Sequence, residues 1–333
     1  MSSENTKNDI TVDKKKIDIF DFLYKYGTLI TIGLLIIFFG IMGGKFLEPS
    51  NVVNILRSIS IVTIIAVAVT VSLTVGGFDL SVGSTASLSG AVVMAMFIWH
   101  NQDSVTSIIV AILASLVVGV INSIMIVKVK VPDMLMTLAT MFVFQGVALT
   151  YTRGAAISQN MVMANGNFAK GKLTQLFTTL GQLPWIIIVM IIIVLIVHIF
   201  LTKTKHGRYM YIIGGNMEAA RLSGIPVNKY RVYAYLISAF LAGVGGIMLA
   251  ARVQTAEINA GSPYLMDAVA ATFIGFSVGG SGKPNAIGTF AGAVLIGILQ
   301  NGLVMLSVPY YAMDIVKGIV LAFALALTYY KKK

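Results

Sequence analysis

The chain has 333 residues, 57% of them hydrophobic and only 11% charged, where soluble domains carry roughly 25% charged residues; an ordinary soluble globular protein is excluded. There is no cysteine, and the three histidines (His100, His198, His206) are scattered, which excludes disulfides, thiolate metal sites, cysteine nucleophiles and a histidine zinc cluster. The net charge of +11 favours nucleic acid only if the basic residues form one patch, and their distribution along the chain has another explanation.

Residues 1–19 read as a polar, basic cytoplasmic tail, and residues 20–333 as a single transmembrane domain. A helical span takes about 20 apolar residues. Apolar stretches bounded by Gly, Pro, Asn or charges predict ten helices, at about 27–44, 52–75, 80–98, 105–128, 132–151, 184–202, 231–250, 266–280, 286–305 and 313–330. The fold class expected is therefore an all-α integral membrane protein. The first stretch exceeds a signal-peptide core and lacks a small-residue cleavage site, so it reads as a retained span. The second is expected to start along the interface, capped by Ser50, with Val52, Ile55, Leu56 and Ile59 on one face and Asn51, Asn54 and Arg57 on the other.

Between the second and third helices lies TVGGFDLSVGSTASLSG, residues 74–90, with a carboxylate at Asp79. An ionised group deep in lipid costs at least about 2.5–3.5 kcal/mol, so it requires a partner or a polar setting. Gly76-Gly77 would end the second helix, and Asp79 or Ser81 would then cap the third and face its positive end. Lining of a solute path and ion or proton coupling are the other two uses open to Asp79. Asn122 falls in the fourth helix, Thr137, Thr140 and Gln145 on one broad face of the fifth, and Gln300 and Asn301 in the ninth. Interhelical hydrogen bonding is the ordinary use of such residues and pathway lining the alternative. Asp314 and Lys317, three residues apart in the tenth helix, are expected to pair.

The long connection 203–229, KTKHGRYMYIIGGNMEAARLSGIPVNK, carries a helix signature. Asn216 is a fair N-cap, Met217 to Ser223 are good helix formers, Gly224 suits a left-handed terminus, and Pro226 blocks continuation. A short, mostly uncharged helix calls for a partner groove, and the Ala219-Ala220 surface flanked by Gly214-Gly215 and Gly224 is the expected grip. With the amino end inside, segments 1–26, 128–131, 203–231, 283 and 331–333 are cytoplasmic and hold 17 of the 24 Lys and Arg residues. Lys45, Arg57, Arg153, Lys170, Lys172 and Arg252 fall outside. This asymmetry follows the positive-inside rule, places both termini in the cytoplasm, and accounts for the basic charge without nucleic acid.

Two halves echo each other. Asp79 opens the third helix and Asp267 the eighth, while Val131-Pro132 precedes the fifth and Val308-Pro309 the tenth. An offset of five helices would make the halves inverted, a common transporter device. GFSVGGSGKPN is not a phosphate loop, since Ser277 and Pro284 stand where Gly and Ser or Thr are required, and its Ser281 has no following histidine to serve as a protease base.

GGFDLSVGS, HGRYMYIIGGNMEAARLSGIPV, the run Asp267 to Ala271, and GTFAGAVLIGILQNGL together resemble the permease subunits of bacterial ribose-type carbohydrate ABC importers, in consistent order over roughly residues 50–325. The resemblance implies a fold similar to the cobalamin-importer permease, with about ten helices in two inverted halves. It further implies a second permease copy, as a homodimer in the bacterial cell membrane, and an extracytoplasmic solute-binding protein. Asn216, Glu218, Ala219, Ala220, Arg221 and Gly224 would form a coupling helix seated in a cytosolic ATPase subunit that binds ATP and Mg, leaving this chain without cofactor or catalysis. The chain departs from the family at Leu265-Met266-Asp267-Ala268, often Glu-Leu-Asp-Ala, at Gly282-Lys283-Pro284-Asn285, often Gly-Gly-x-Gly, and at Gln145, often Arg. The alternative class, a self-sufficient secondary transporter, would require mid-membrane carboxylates, whereas Asp79, Asp267 and Asp314 all read as helix starts. A channel would have no obvious use for the 203–229 loop.

Overall fold

A computed structural model describes residues 19–163, 166–257, 259–278 and 282–329. The polar tail before Ile19, Ser281 and Lys331–Lys333 lie outside the described residues. Thirteen helices run through the described chain: α1 (Ile19–Met42), α2 (Pro49–Leu73), α3 (Val82–Ile98), α4 (Ser104–Val127), α5 (Asp133–Thr152), α6 (Gln175–Leu180), α7 (Trp185–Lys203), α8 (Lys205–Gly215), α9 (Met217–Leu222), α10 (Val227–Val253), α11 (Ser262–Gly275), α12 (Ala286–Met305) and α13 (Tyr310–Tyr329). Each of the ten apolar stretches overlaps one of them. Six (α2, α4, α5, α7, α10 and α12) are long and apolar enough to cross a membrane, and the chain is an α-helical membrane protein.

Local chemistry sets most boundaries. Asp103 caps α4 by accepting from Val105 N and Thr106 N, and Asn285 caps α12 by accepting from Gly288 N. Pro132 and Pro309 stand immediately before α5 and α13, positions where a missing N–H costs nothing. Two expectations are corrected here. Ser50 does not cap α2: Pro49 is already its first residue, and Glu48 precedes it without a side-chain cap bond. Asp267 does not open its helix, because α11 begins at Ser262 and Asp267 is its sixth residue, so only the proline half of the internal echo recurs.

α2, α10 and α12 form the interior, and α4, α5 and α7 expose apolar faces such as Ile192, Leu195, Ile196 and Ile199. Exposed leucine and isoleucine in such rows suit acyl chains. Inner helices meet at small residues: a Cβ on Gly246 would overlap the Ala86 carbonyl, and one on Gly292 the Ala271 carbonyl. Such close approach maximises dispersion contacts where no hydrophobic force drives helices together. α10 packs on α2, α3 and α4, while α2 packs on α10, α11 and α12; α3 packs on α4 and α5, while α11 packs on α12 and α13. Exchanging α2–α5 for α10–α13 leaves this pattern unchanged. A pair of bonds obeys the same exchange, Ser89 Oγ donating to Gly243 O at 2.9 Å and Thr272 Oγ1 to Ala66 O at 3.0 Å.

Long-range contacts sort the connections into two ends. At one, Tyr211 Oη donates to Pro284 O at 2.7 Å, His206 meets Tyr230, and Thr28 meets Ser277. At the other, Trp99 Nε1 reaches Met161 Sδ, Ser104 meets Thr174, and the two-residue strands β1 (Ile157–Ser158) and β2 (Thr255–Ala256) pair antiparallel. The segments 128–131, 203–231 and 283, richest in Lys and Arg, belong to the first end.

Candidate functional site

At that basic end, α2 stops because Gly76 turns left-handed (φ +73°) and Gly77 N bonds back to Ser72 O at 3.1 Å, a closure that glycine makes without steric cost. The chain then carries Phe78 and Asp79 inward. Asp79 Oδ1 accepts from Ser81 N at 3.0 Å and Ser81 Oγ at 2.6 Å, and Oδ2 accepts from Ser238 Oγ of α10 at 2.7 Å. The expected cap is therefore corrected. α3 begins at Val82, and its N-cap, Ser81, makes no side-chain cap bond. Asp79 lies two residues too early to reach the helix N–H groups; it closes a local turn and ties it to α10.

The network continues through Ser81 Oγ, which also accepts from Asn122 Nδ2 at 2.9 Å; Thr140 Oγ1 donates to Asn122 Oδ1 at 2.8 Å, and Thr137 Oγ1 donates to Phe78 O at 3.0 Å. Four of the predicted residues, Asp79, Ser81, Asn122 and Thr137, thus meet around one turn, joining α3, α4, α5 and α10. Asp79 is 1% exposed, so the group is sealed in this conformation. Gln145 is half-buried two turns along α5 and does not join them.

Sequence reading missed a second carboxylate beside this turn. Asp133, the first residue of α5, pairs with Arg231 and accepts from Tyr235 Oη at 2.6 Å, both partners being on α10. A Cβ on Gly77 would stand 2.7 Å from Asp133 Oδ2 and overlap the Tyr235 hydroxyl, so the pair closes directly on the turn. Two signals were available: Pro132-Asp133 at a helix start, and Arg231 and Tyr235 one turn apart.

Next to it stands the predicted inner-loop helix. Asn216 Oδ1 accepts from Ala219 N at 2.9 Å, Glu218 and Arg221 pair on the surface, and Gly224 adopts φ +74° beyond the last turn. The expected Ala219-Ala220 grip is corrected at Ala220 alone, which is 0% exposed and packs inward, whereas Ala219 stays exposed. Leu222, 88% exposed, is the apolar side chain that α9 presents. The preceding α8 also escaped the sequence reading; Thr204 caps it by accepting from Gly207 N, and Met210 and Ile213 pack inward. Burial pushes the Tyr211 phenol above its ordinary pKa.

Asp267 and Asn301 lie toward the opposite end. Asn301 exchanges two amide bonds with Asn51, at 3.0 and 3.1 Å, joining α12 to α2. Lys317 does not rest on Asp314 alone: it bonds Asp267 at 3.2 Å, whereas Asp314 stands 3.7 Å away and is 89% exposed. Arg252, Glu257, Tyr264, Asp267, Asn301 and Lys317 are among the residues lining a cavity of about 600 Å³. Among the described residues, no group of three or more His, Asp or Glu side chains is placed to hold a metal ion.

Over residues 51–325 the chain matches the family described as the branched-chain amino acid transport system / permease component. It is 36% identical over 321 residues to the ribose import permease protein of Bacillus subtilis, a match covering 96% of this chain and 97% of that protein. The ribose import permease protein of Haemophilus influenzae is 33% identical over 308 residues, 91% of this chain and 92% of its own length. The xylose transport system permease protein of Haemophilus influenzae is 28% identical over 365 residues, covering 93% and 97%. No solved structure matches the chain.

Proposed function

The chain belongs to the permease-component family of branched-chain amino acid transport systems and is, we infer, the membrane subunit of an ATP-driven (ABC) importer for a monosaccharide such as ribose. The observation that carries this reading is the near full-length match to ribose import permeases at 33–36% identity. The site geometry supports it. An ABC permease requires a handle for a motor it does not contain, and α9 is a capped helix, held at the basic end, presenting a bare leucine. The basic end is read as cytoplasmic under the positive-inside rule, with both termini there. The exchange of α2–α5 with α10–α13 supports two inverted halves in one transmembrane domain, and α1 and α7 would bring each half to five spans.

On this reading the sealed group around Asp79 closes the pathway at the inner end. The cavity lined by Arg252, Tyr264, Asp267 and Asn301 lies at the outer end, toward an extracytoplasmic binding protein, and a second copy of the chain completes the passage. A cytosolic ATPase carrying ATP and Mg would drive the exchange between outward- and inward-facing packings. An ion-driven carrier would require an exchangeable carboxylate in the bundle. Asp79, Asp133 and Asp267 are instead held by hydroxyl, tyrosine or cationic partners.

The test is reconstitution of this chain with its ATPase and binding protein in liposomes. Ribose accumulation that requires ATP is the expected result, and accumulation by the chain alone on an ion gradient overturns the reading. A narrower prediction concerns Leu222→Asp. Because the side chain is exposed, the substitution leaves the melting temperature of the isolated permease within experimental scatter. Loss of a central apolar contact worth about 2 kcal/mol or more should weaken ATPase co-purification by roughly thirtyfold. Undiminished association would remove Leu222 from the contact.

A further inference from the structure

Gly214 and Gly215 are neighbours at the end of α8, and the fold treats them differently. A Cβ on Gly214 would overlap the Thr74 carbonyl oxygen and stand 3.1 Å from Gly76 N, whereas one on Gly215 meets nothing within 4 Å. At Gly214, then, the backbone of α8 rests on the backbone that closes α2. The same turn, a few residues on, is gripped by Tyr235 and Asp133 at Gly77, by Thr137 at Phe78, and by Ser238 at Asp79.

We propose that Gly214 is a positioning residue for transport, the point at which displacement of α8 and α9 passes into the 74–81 turn and from there into α3 and α5. The proposal rests on the reading of 203–229 as the ATPase contact and assigns the route inward from it. The physical reason is stiffness. The side chains that tie α8 to the body, Tyr211 bonded to Pro284, His206 to Tyr230, and the buried Met210 and Ile213, can absorb a small shift by turning about their own bonds. Two backbones in van der Waals contact have no side chain between them to turn, and a close-packed element moves with its neighbour or parts from it. The turn is in addition tied to α4, α5 and α10 by the hydrogen bonds of Asn122, Thr137 and Ser238, so a shift imposed there changes how α3, which the turn opens, meets those helices.

The test uses the whole importer, with Gly214→Ala and Gly215→Ala compared. Gly214→Ala should retain ATPase association and basal ATP hydrolysis while the sugar moved per ATP falls about tenfold or more, a loss within the ordinary range of coupling between sites; Gly215→Ala should leave that ratio unchanged. Equal ratios in the two variants overturn the proposal. Should Gly214→Ala not fold, amide exchange of the unaltered importer decides. ATP binding must change protection in residues 74–81 together with 205–224, and a change confined to 205–224 overturns the route through Gly214. If ATP alters neither segment, or the ATPase does not associate with the unaltered chain, the coupling-loop reading itself fails and the proposal with it.

Discussion

Asp79→Asn should fold and transport nearly as the natural chain does, while Asp79→Leu should lose both. The carboxylate accepts three hydrogen bonds, and among the described residues it forms no ion pair. An asparagine reproduces this set. Its oxygen takes Ser81 N and Ser81 Oγ, and its amide nitrogen donates to Ser238 Oγ, a hydroxyl that accepts as readily as it donates. Leucine leaves Ser81 N, Ser81 Oγ and Ser238 Oγ without that partner in a site that is 1% exposed. Stranding two or three buried polar groups at about 1–3 kcal/mol each removes roughly 2–9 kcal/mol, comparable with the whole stability of many domains. Thermal melting in detergent and ATP-dependent uptake in proteoliposomes measure the two effects. A well-folded Asn variant that no longer transports would mean that the negative charge itself is used, and the turn-closing account would be wrong.

The parts of this site that depend on local chemistry were legible in the sequence. Gly76-Gly77 ends α2, Asn216 caps α9 and Gly224 turns left-handed, because each follows from a residue and its next few neighbours. Registers and partners were not. Asp79 as a turn or as a cap differs by the two residues at which α3 begins, and the same pattern of polar and small residues permits either start. Ala220 is buried because α9 rolls one face onto the bundle, and a two-turn helix with no strong apolar stripe does not declare which face that is. Lys317 reaches Asp267, fifty residues away, in addition to Asp314 on its own helix. The sequence marks a possible neighbour along one helix, but the packing of α13 on α11 creates the closer one. Asp133 and Arg231 are the plainest case. Ninety-eight residues apart, each reads alone as an ordinary charge at a helix end, and only the meeting of α5 with α10 makes them a pair.

That pair carries the second large expected effect. Asp133→Leu and Arg231→Met should each destabilise the chain strongly, and the double variant should cost clearly less than their sum. The side chains are 16% and 14% exposed, so a charge left behind has little water to turn to. Removing one member of such a pair costs about 3–5 kcal/mol, most of it the stranded partner, whereas removing both restores an apolar contact. Melting temperatures of the four proteins give the coupling, which should reach about 2 kcal/mol, near the upper range for contacting residues. Additive losses would mean that the two groups are solvated and that their contact holds nothing. Transport separates the pair's two contributions. If Asp133, through Tyr235 and Gly77, also fixes the 74–81 turn, the double variant should recover stability without recovering uptake, since an apolar pair refills the space between α5 and α10 but offers Tyr235 no acceptor.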